Sequence, residues 1–158
     1  MKKWIGVFLL LTTLFALIGC GKKNESTEEA KTVTKAEEPQ FVTVQHILIG
    51  FKGTLPGKPV TRTQEEAKRL AEDLLKRAQS GENFDTLVKE HTDDSHPGIY
   101  QMANLGVAAD RSQDIFERAR MAKAFGDVGF SLNVGEIGMA PYDEQTSVYG
   151  WHIIRRIQ

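Results

Sequence analysis

A short apolar run sets the first part of the chain apart from anything that could form a folded domain. Residues 4–18 are almost entirely apolar, and Lys2 and Lys3 precede them. The run is shorter than the roughly 20 apolar residues that a membrane-spanning helix needs. A basic start followed by a short apolar stretch is typical of a secretory signal peptide. We therefore predict that residues 1–19 are a signal peptide and take no part in the fold.

The apolar run ends at Leu17-Ile18-Gly19-Cys20, which contains the only cysteine of the chain. This sequence resembles the lipobox of bacterial lipoproteins, in which the cysteine is acylated and becomes the first residue of the mature protein. A buried, inert cysteine is the alternative, but the sequence around position 20 forms no core. The resemblance implies a protein of the bacterial cell envelope, with its domain on the extracytoplasmic side and acyl chains on Cys20 as the membrane anchor. Each buried methylene of such a chain contributes about 0.8 kcal/mol.

The stretch after the cysteine cannot belong to a core. Residues 21–39 contain five glutamates and four lysines, and Val33 is their only large aliphatic residue. Such a stretch buries too little apolar surface to offset the entropy lost on ordering it. We interpret residues 20–39 as the acylated cysteine followed by a flexible, charged tether. Residues 40–158 then form one domain, the number that a chain of this length favours.

The first half of this domain has clear strand and helix patterns. Phe41 to Ile49 is apolar and rich in β-branched residues, which predicts a strand. Thr63 and Glu66 have the spacing of a capping box. They begin a helix whose apolar residues recur every three to four positions as far as Ser80-Gly81. A short second helix is predicted from Phe84 to just before His91.

The second half has weaker patterns. We predict a brief strand at Leu105-Gly106-Val107, a helix from Asp110 to Phe125 and a closing strand from Val148 to Ile157. The helix prediction is weakest at its far end, where Gly126 and Gly129 follow. Together the elements indicate a small α+β domain.

Composition excludes several classes of function. A formal net charge of −1 gives no basic surplus for binding phosphate, so we expect no nucleic-acid partner. One cysteine excludes an internal disulfide framework and a cysteine-based zinc cluster. The chain has no Gly-x-Ser-x-Gly segment, which argues against a serine hydrolase of that type.

Two histidines stand out because each lies in a predicted strand. His46 is in the first strand and His152 is in the last, so their rings can meet across the sheet if the strands are neighbours. Taken singly, each is more often a hydrogen-bonded strand residue than a catalytic one. Asp94 and His96 add residue types that suit a metal site, but their spacing matches no recognised ligand pattern, and we expect no metal.

Six short segments between Val42 and Ile157 carry information as an ordered set. They are Gln45-His46-Ile47-Leu48, Thr61-Arg62-Thr63-Gln64-Glu65-Glu66-Ala67, Ser80-Gly81-Glu82-Asn83-Phe84, His91-Thr92-Asp93-Asp94-Ser95, Phe130-Ser131-Leu132-Asn133-Val134-Gly135-Glu136-Ile137 and Gly150-Trp151-His152-Ile153-Ile154. In this order they resemble the parvulin-type peptidyl-prolyl cis/trans isomerases. Each segment alone is a weak signal, and the six together are a strong one.

Two features depart from the family's pattern. Where the family usually has Gly-Gly-Asp-Leu-Gly, this chain has Met102-Ala103-Asn104-Leu105-Gly106. The stretch from Gly106 to Met121 is also longer than the usual connection.

The resemblance implies a parvulin-like four-stranded antiparallel sheet surrounded by about four helices, with the histidine pair at its centre. It implies an isomerase that acts on unfolded or proline-containing polypeptides, assists the folding of secreted or envelope proteins, and needs no cofactor.

By the same resemblance, Leu105, Met121 and Phe125 would line an apolar slot for the proline ring. His46 and His152 would form a hydrogen-bonded pair beneath it, and Asp94 would face the substrate amide. Ser147 would supply a hydroxyl to this network. Plain core packing is the alternative for Met121 and Phe125.

A second class of function stays open, namely a parvulin fold that holds unfolded secreted chains without catalysing exchange. The altered Asn104 segment favours it, and proline exchange in a short peptide distinguishes the two. Lys52, Lys58 and Arg62 lie in a loop rich in glycine and proline, which favours a solvated loop over a phosphate site. We therefore expect unphosphorylated X-Pro substrates.

We predict that Cys20→Ala leaves the domain folded but releases the protein from the membrane fraction, because the variant has no thiol to acylate. Cell fractionation followed by detection of the protein in the soluble and membrane pools measures this. Cys20→Ala protein that stays in the membrane pool until detergent is added would contradict lipid anchoring.

Overall fold

The computed structural model describes residues 38–158. Its elements in chain order are β1 (Phe41–Ile49), α1 (Gln64–Gln79), α2 (Phe84–His91), β2 (Ile99–Ala103), a 3-10 turn (Arg111–Gln113), β3 (Ile115–Glu117), a second 3-10 turn (Arg118–Arg120), α3 (Lys123–Ser131), β4 (Ile137–Ala140) and β5 (Trp151–Arg156). The strands form one sheet in the order β3-β2-β1-β5-β4. Every pairing is antiparallel except that of β2 with β3.

The α+β class predicted from the sequence is confirmed, but three details differ from the prediction. The sheet has five strands instead of four, and its edge strand β3 is parallel to β2. Within residues 38–158 there are three α-helices and two 3-10 turns instead of about four helices.

The region between residues 99 and 131 differs most from the prediction. The strand predicted at Leu105–Val107 is a turn, closed by a hydrogen bond from Val107 N to Asn104 O (3.0 Å), and the strand itself lies earlier, in β2. The helix predicted from Asp110 to Phe125 is interrupted at Asp114, whose positive φ of 58° ends the first 3-10 turn. A left-handed residue cannot continue a right-handed helix, so the chain leaves the turn as β3.

Helix α1 begins where the sequence predicts. Thr63 Oγ1 accepts from Glu66 N (3.2 Å) and the Glu66 carboxylate accepts from Thr63 N (2.7 Å), which completes the capping box. The apolar stripe of α1 is buried against the sheet through Ala67, Ala71 and Leu74. Helix α2 has a simpler N-cap, in which Asn83 Oδ1 accepts from Thr86 N (2.9 Å).

Helix α3 contains two glycines despite their poor helix propensity. A Cβ atom at Gly129 would lie 3.0 Å from the Met102 methyl carbon, and one at Gly126 would lie 3.0 Å from Arg118 Cγ. The glycines therefore let α3 approach the sheet and the preceding turn closely. Tertiary packing outweighs local propensity here.

The sheet separates two apolar layers because the side chains of a strand alternate between its faces. Ile47 and Ile49 of β1 pack with α1 and α2 on one face. Val42 and Val44 pack with Phe125 and Phe130 of α3 on the other. His46 has the same parity as Val42 and Val44, so its side chain lies on the α3 face.

The domain's contacts begin slightly earlier than Gln40. Asn104 Nδ2 donates to Pro39 O (3.0 Å), and Arg118 Nη1 donates to Glu38 Oε2 (2.6 Å), so the last two residues assigned to the tether contact the domain. The predicted signal peptide, Cys20 and the predicted tether up to residue 37 lie outside the described residues. None of the helices between residues 38 and 158 has the length and apolar character to cross a bilayer.

We predict that Gly150→Ala destabilises the domain far more than Gly53→Ala. Both glycines have positive φ, which costs about 1 to 2 kcal/mol for a residue with a Cβ atom. At Gly53 nothing lies within 4 Å of the added atom, whereas at Gly150 it would lie 2.1 Å from Ile49 O. Moving that carbonyl disturbs the pairing of β1 with β5, so we expect a total loss above about 3 kcal/mol. Equal losses in chemical denaturation would contradict the close approach of these strands.

Candidate active site

The two strand histidines meet at the centre of the sheet. β1 and β5 are neighbours, and their register pairs Leu48 with His152, which places His46 and His152 diagonally on one face. The Nδ1 atoms of the two histidines are 3.2 Å apart, and the rings are stacked with centroids 5.3 Å apart and planes 15° apart. Both residues are buried. The predicted pair is therefore present in the structure.

Asp94 joins the pair from the loop after α2. Its Oδ2 lies 3.1 Å from His46 Nε2 and accepts from the Tyr100 hydroxyl at 2.8 Å. Hydrogen bonds to β1 hold this loop in place, since Asp93 N donates to Leu48 O (2.8 Å) and Leu48 N donates to Thr92 Oγ1 (3.1 Å). A continuous polar chain thus runs from Tyr100 through Asp94 and His46 to His152.

Hydrogen bonding and burial lower the pKa of Asp94 and of His152 and raise the pKa of Tyr100. The hydrogen bond from His46, together with that from Tyr100, holds the pKa of Asp94 well below its ordinary value despite partial burial. Burial and the neighbouring Asp94 carboxylate raise the pKa of Tyr100 to about 12. Burial lowers the pKa of His152 to about 3, because a charged imidazolium loses its hydration there. At neutral pH the site therefore holds an ionised Asp94 and a neutral His152.

These charges define the positions of the protons. An ionised carboxylate only accepts, so His46 Nε2 carries the proton that it donates to Asp94. His46 Nδ1 can then accept from His152 Nδ1–H, which leaves His152 Nε2 without a proton. Among the described residues this buried Nε2 atom has no hydrogen-bond partner. A protonated Nε2 would be a buried donor without an acceptor, which is costly.

An apolar cavity of about 320 Å³ lies over the polar chain and is open to solvent. Phe125 forms its floor and contacts both imidazoles, with ring centroids 5.1 Å from His46 and 5.3 Å from His152. Met121 lies at the wall, and Asp94 lies at the edge with about a quarter of its side chain exposed. The other residues that line the cavity are Leu48, Leu55, Pro56, Lys58, Tyr100, Arg120, Ala122 and Tyr149.

Two residues predicted for the site, Leu105 and Ser147, lie elsewhere, and both predictions are wrong. Leu105 is 65% exposed and does not line the cavity, because it lies in the turn after β2. Ser147 is fully buried, but its hydroxyl donates to Gly150 O (2.9 Å) and has no hydrogen bond to either imidazole. Ser147 therefore stabilises the turn that leads into β5 and is not part of the polar chain.

Sequence reasoning missed Tyr100 and Tyr149. Tyr100 lies opposite Val44 in the register of β1 with β2. A strand predicted at Ile99–Ala103 instead of Leu105–Val107 would have placed Tyr100 on the same face of the sheet as His46. Tyr149 precedes Gly150 in the turn before β5, and no local pattern in the sequence indicates that its ring faces the cavity.

A second aspartate holds the loop that covers one side of the cavity. The Asp93 carboxylate accepts from Gly50 N (2.8 Å) and pairs with Arg62. Lys58 Nζ donates to Asp93 O. These contacts hold the segment that contains Leu55 and Pro56 beside the cavity.

His96 lies apart from the central histidine pair. His96 Nε2 contacts Asp85 Oδ1 (3.1 Å) on α2 instead of the central histidine pair. Within residues 38–158 no group of three histidine, cysteine, aspartate or glutamate side chains is arranged to hold a metal ion.

Comparisons with known proteins agree on one family. A family model described as the PPIC-type PPIase domain matches residues 28–157. Foldase protein PrsA 1 of Lactobacillus johnsonii is 30% identical in a 148-residue alignment that covers 87% of this chain and 41% of that protein. Foldase protein PrsA of Bacillus subtilis is 31% identical over 91 residues, which cover 58% of this chain and 27% of that protein. The chain thus spans less than half the length of either relative.

Solved structures support the fold independently. The solution structure of TbPIN1 superposes with a TM-score of 0.56 at 21% identity, and the match covers 76% of this chain and 99% of that one.

We predict that native stability falls by roughly 2 kcal/mol between pH 7 and pH 5 through His152 alone. The pKa of His152 is lower in the folded state than its ordinary 6.5, so the unfolded chain takes up more protons as the pH falls. The free energy of unfolding therefore decreases from about pH 6.5 downward, towards about pH 3.

Urea unfolding at both pH values measures this loss. His152→Phe should remove most of it, whereas Ser147→Ala, a buried substitution without a titrating group, should lower stability and keep the same pH dependence. An unchanged pH dependence in His152→Phe would show that His152 is not buried in its neutral form.

Proposed function

We propose that this chain, which belongs to the PPIC-type PPIase (parvulin) family, is a peptidyl-prolyl cis/trans isomerase that assists the folding of secreted or envelope proteins. The observation that carries this proposal is the apolar cavity over the His46–His152 pair, with the ionised Asp94 at its edge. The cavity is at the lower end of the volumes typical of ligand sites, which suits a single proline ring and its neighbouring amide.

The reaction makes and breaks no covalent bond. A peptide bond rotates over a barrier of about 18–20 kcal/mol, because rotation removes the resonance between nitrogen and carbonyl. Uncatalysed X-Pro exchange takes tens to hundreds of seconds. An enzyme accelerates it by binding the twisted amide more strongly than either planar isomer.

Asp94 can supply part of this difference. In a planar amide, resonance places partial negative charge on the carbonyl oxygen, and twisting removes much of that charge. We propose that a carbonyl oxygen held near the Asp94 carboxylate is repelled more in the planar state than in the twisted state. Catalysis by this route needs Asp94 to remain ionised, and its hydrogen bonds with His46 and Tyr100 favour the ionised form.

The remaining residues bind and orient the substrate in this proposal. Phe125 and Met121 contact the proline ring. His46 and His152 contribute by fixing the position of Asp94 and by supporting the ring of Phe125. No metal or cofactor is required, because rotation needs only differential binding.

Unphosphorylated X-Pro segments are the proposed substrates. Two of the loop cations considered for phosphate binding, Lys58 and Arg62, contact Asp93. The Asp93 carboxylate neutralises Arg62, which weakens the case for a phosphate dianion at this loop.

The proposed location is the bacterial cell envelope, with the domain outside the cytoplasm and acyl chains on Cys20 as the anchor. The sequence of residues 1–20 supports it, and both PrsA relatives are named as foldases. Unfolded secreted polypeptides would then be the partners.

Exchange spectroscopy on an Ala-Pro peptide tests the proposed function. The native protein should accelerate exchange, and a protein that only holds unfolded chains would leave the spontaneous rate unchanged. Met121→Ala should raise the peptide concentration for half-maximal exchange. Leu105→Ala is the matched control, because the structure places Leu105 outside the cavity, and it should behave as the native protein does.

Asp94→Asn should lower the maximal exchange rate at least tenfold, about 1.4 kcal/mol in the barrier, while it keeps the shape of the side chain. Thermal unfolding of each variant confirms that the domain is folded. Full activity of a folded Asp94→Asn variant would show that the carboxylate charge is not used.

A further inference from the structure

We propose that Arg118 and Glu38 are positioning residues for the cavity, so that the segment preceding the sheet is a working part of the active site. This inference rests on the proposed function. It concerns residues that contact neither the histidine pair nor the proposed position of the substrate.

Arg118 precedes Met121, a residue of the cavity wall, by three positions. It opens the 3-10 turn that leads into Met121, and Met121 N donates to Arg118 O (3.1 Å). Its side chain packs against Gly126 of α3, where a Cβ atom would lie 3.0 Å from Arg118 Cγ. A shift of Arg118 therefore moves both Met121 and the helix that contains Phe125.

The Arg118 guanidinium is almost buried, with 10% of the side chain exposed, and it connects three parts of the chain. It donates to Glu38 Oε2 (2.6 Å), to Asn104 Oδ1 (2.7 Å) after β2 and to Asp127 Oδ1 (2.9 Å) on α3. The cation also lies 4.5 Å from the centre of the Phe130 ring. A buried cation needs such partners, because burial removes its hydration.

Asn104 links the same guanidinium to the segment before β1. Its carbonyl oxygen accepts from Arg118, while its amide nitrogen donates to Pro39 O (3.0 Å) and Glu38 Oε2 (3.3 Å). An ionised aspartate, the residue usual at this position in the family, could accept from Arg118 but could not donate to Pro39. The departure from the family's pattern therefore gives this chain an added contact with the preceding segment.

These contacts predict an effect on substrate affinity. Without the Glu38 carboxylate, Arg118 loses one charged hydrogen bond, and the turn before Met121 is held less firmly. Asp94 and the histidines keep their own contacts. The KM for peptide should rise, and kcat should change little, because the group that acts on the amide is unaltered.

Exchange kinetics on the full-length chain test the proposal. Glu38→Ala should raise KM by about three- to tenfold, the effect of losing part of one charged hydrogen bond, with kcat within about twofold of native. Glu38→Gln keeps an oxygen acceptor and should recover part of the loss. Glu82→Ala is the matched control and should leave KM unchanged, because Glu82 pairs with Arg77 in the last turn of α1 (Nη2 to Oε1, 2.7 Å) and neither residue lines the cavity.

The chemical shift of the Met121 methyl group, recorded in the same samples without peptide, separates this proposal from the proposed function. It should move in Glu38→Ala and stay in place in Glu82→Ala, whether or not the native protein catalyses exchange. Absence of exchange in the native protein would overturn the proposed function alone. A native-like KM and an unmoved Met121 signal in Glu38→Ala would overturn the positioning role.

Discussion

The organisation of the site depends on the hydrogen bond between the Nδ1 atoms of His46 and His152. Burying two imidazoles at the centre of a sheet removes their hydration, which is costly. The 3.2 Å hydrogen bond offsets part of that cost only if one Nδ1 atom carries a proton and the other does not. The ionised Asp94 defines them, because it accepts from His46 Nε2. The Asp94 carboxylate at the cavity edge thus fixes the protonation of the histidine pair, and the hydrogen bond from His46 fixes the position of Asp94.

Phe125 belongs both to the hydrophobic core and to the lining of the cavity. Phe125 is 2% exposed and belongs to the apolar layer between the sheet and α3, yet it is also the floor of the cavity. Close packing of α3 through Gly126 and Gly129 brings that ring against both imidazoles. Changes in packing therefore also change the cavity, and folding must be measured together with activity for every cavity variant.

Local signals in the sequence were sufficient for β1, for the capping box of α1 and for the closing strand that contains His152. They failed where long-range contacts decide the conformation. Gly126 and Gly129 lie inside α3 because Met102 and Arg118 pack against them, and no propensity predicts that. Leu105 matches a family position but is exposed, and Ser147 has the right residue type but bonds to Gly150. Tyr100 was missed because β2 has no strong alternation of its own.

The positions of the imidazole protons test the account most directly. Long-range ¹H–¹⁵N correlation spectra of the histidine rings at neutral pH report which nitrogen of each ring carries a proton. We expect His46 protonated at Nε2 and bare at Nδ1, and His152 protonated at Nδ1 and bare at Nε2. A His152 ring that carries protons on both nitrogens, or on Nε2 alone, would contradict the proposed chain from His152 through His46 to an ionised Asp94.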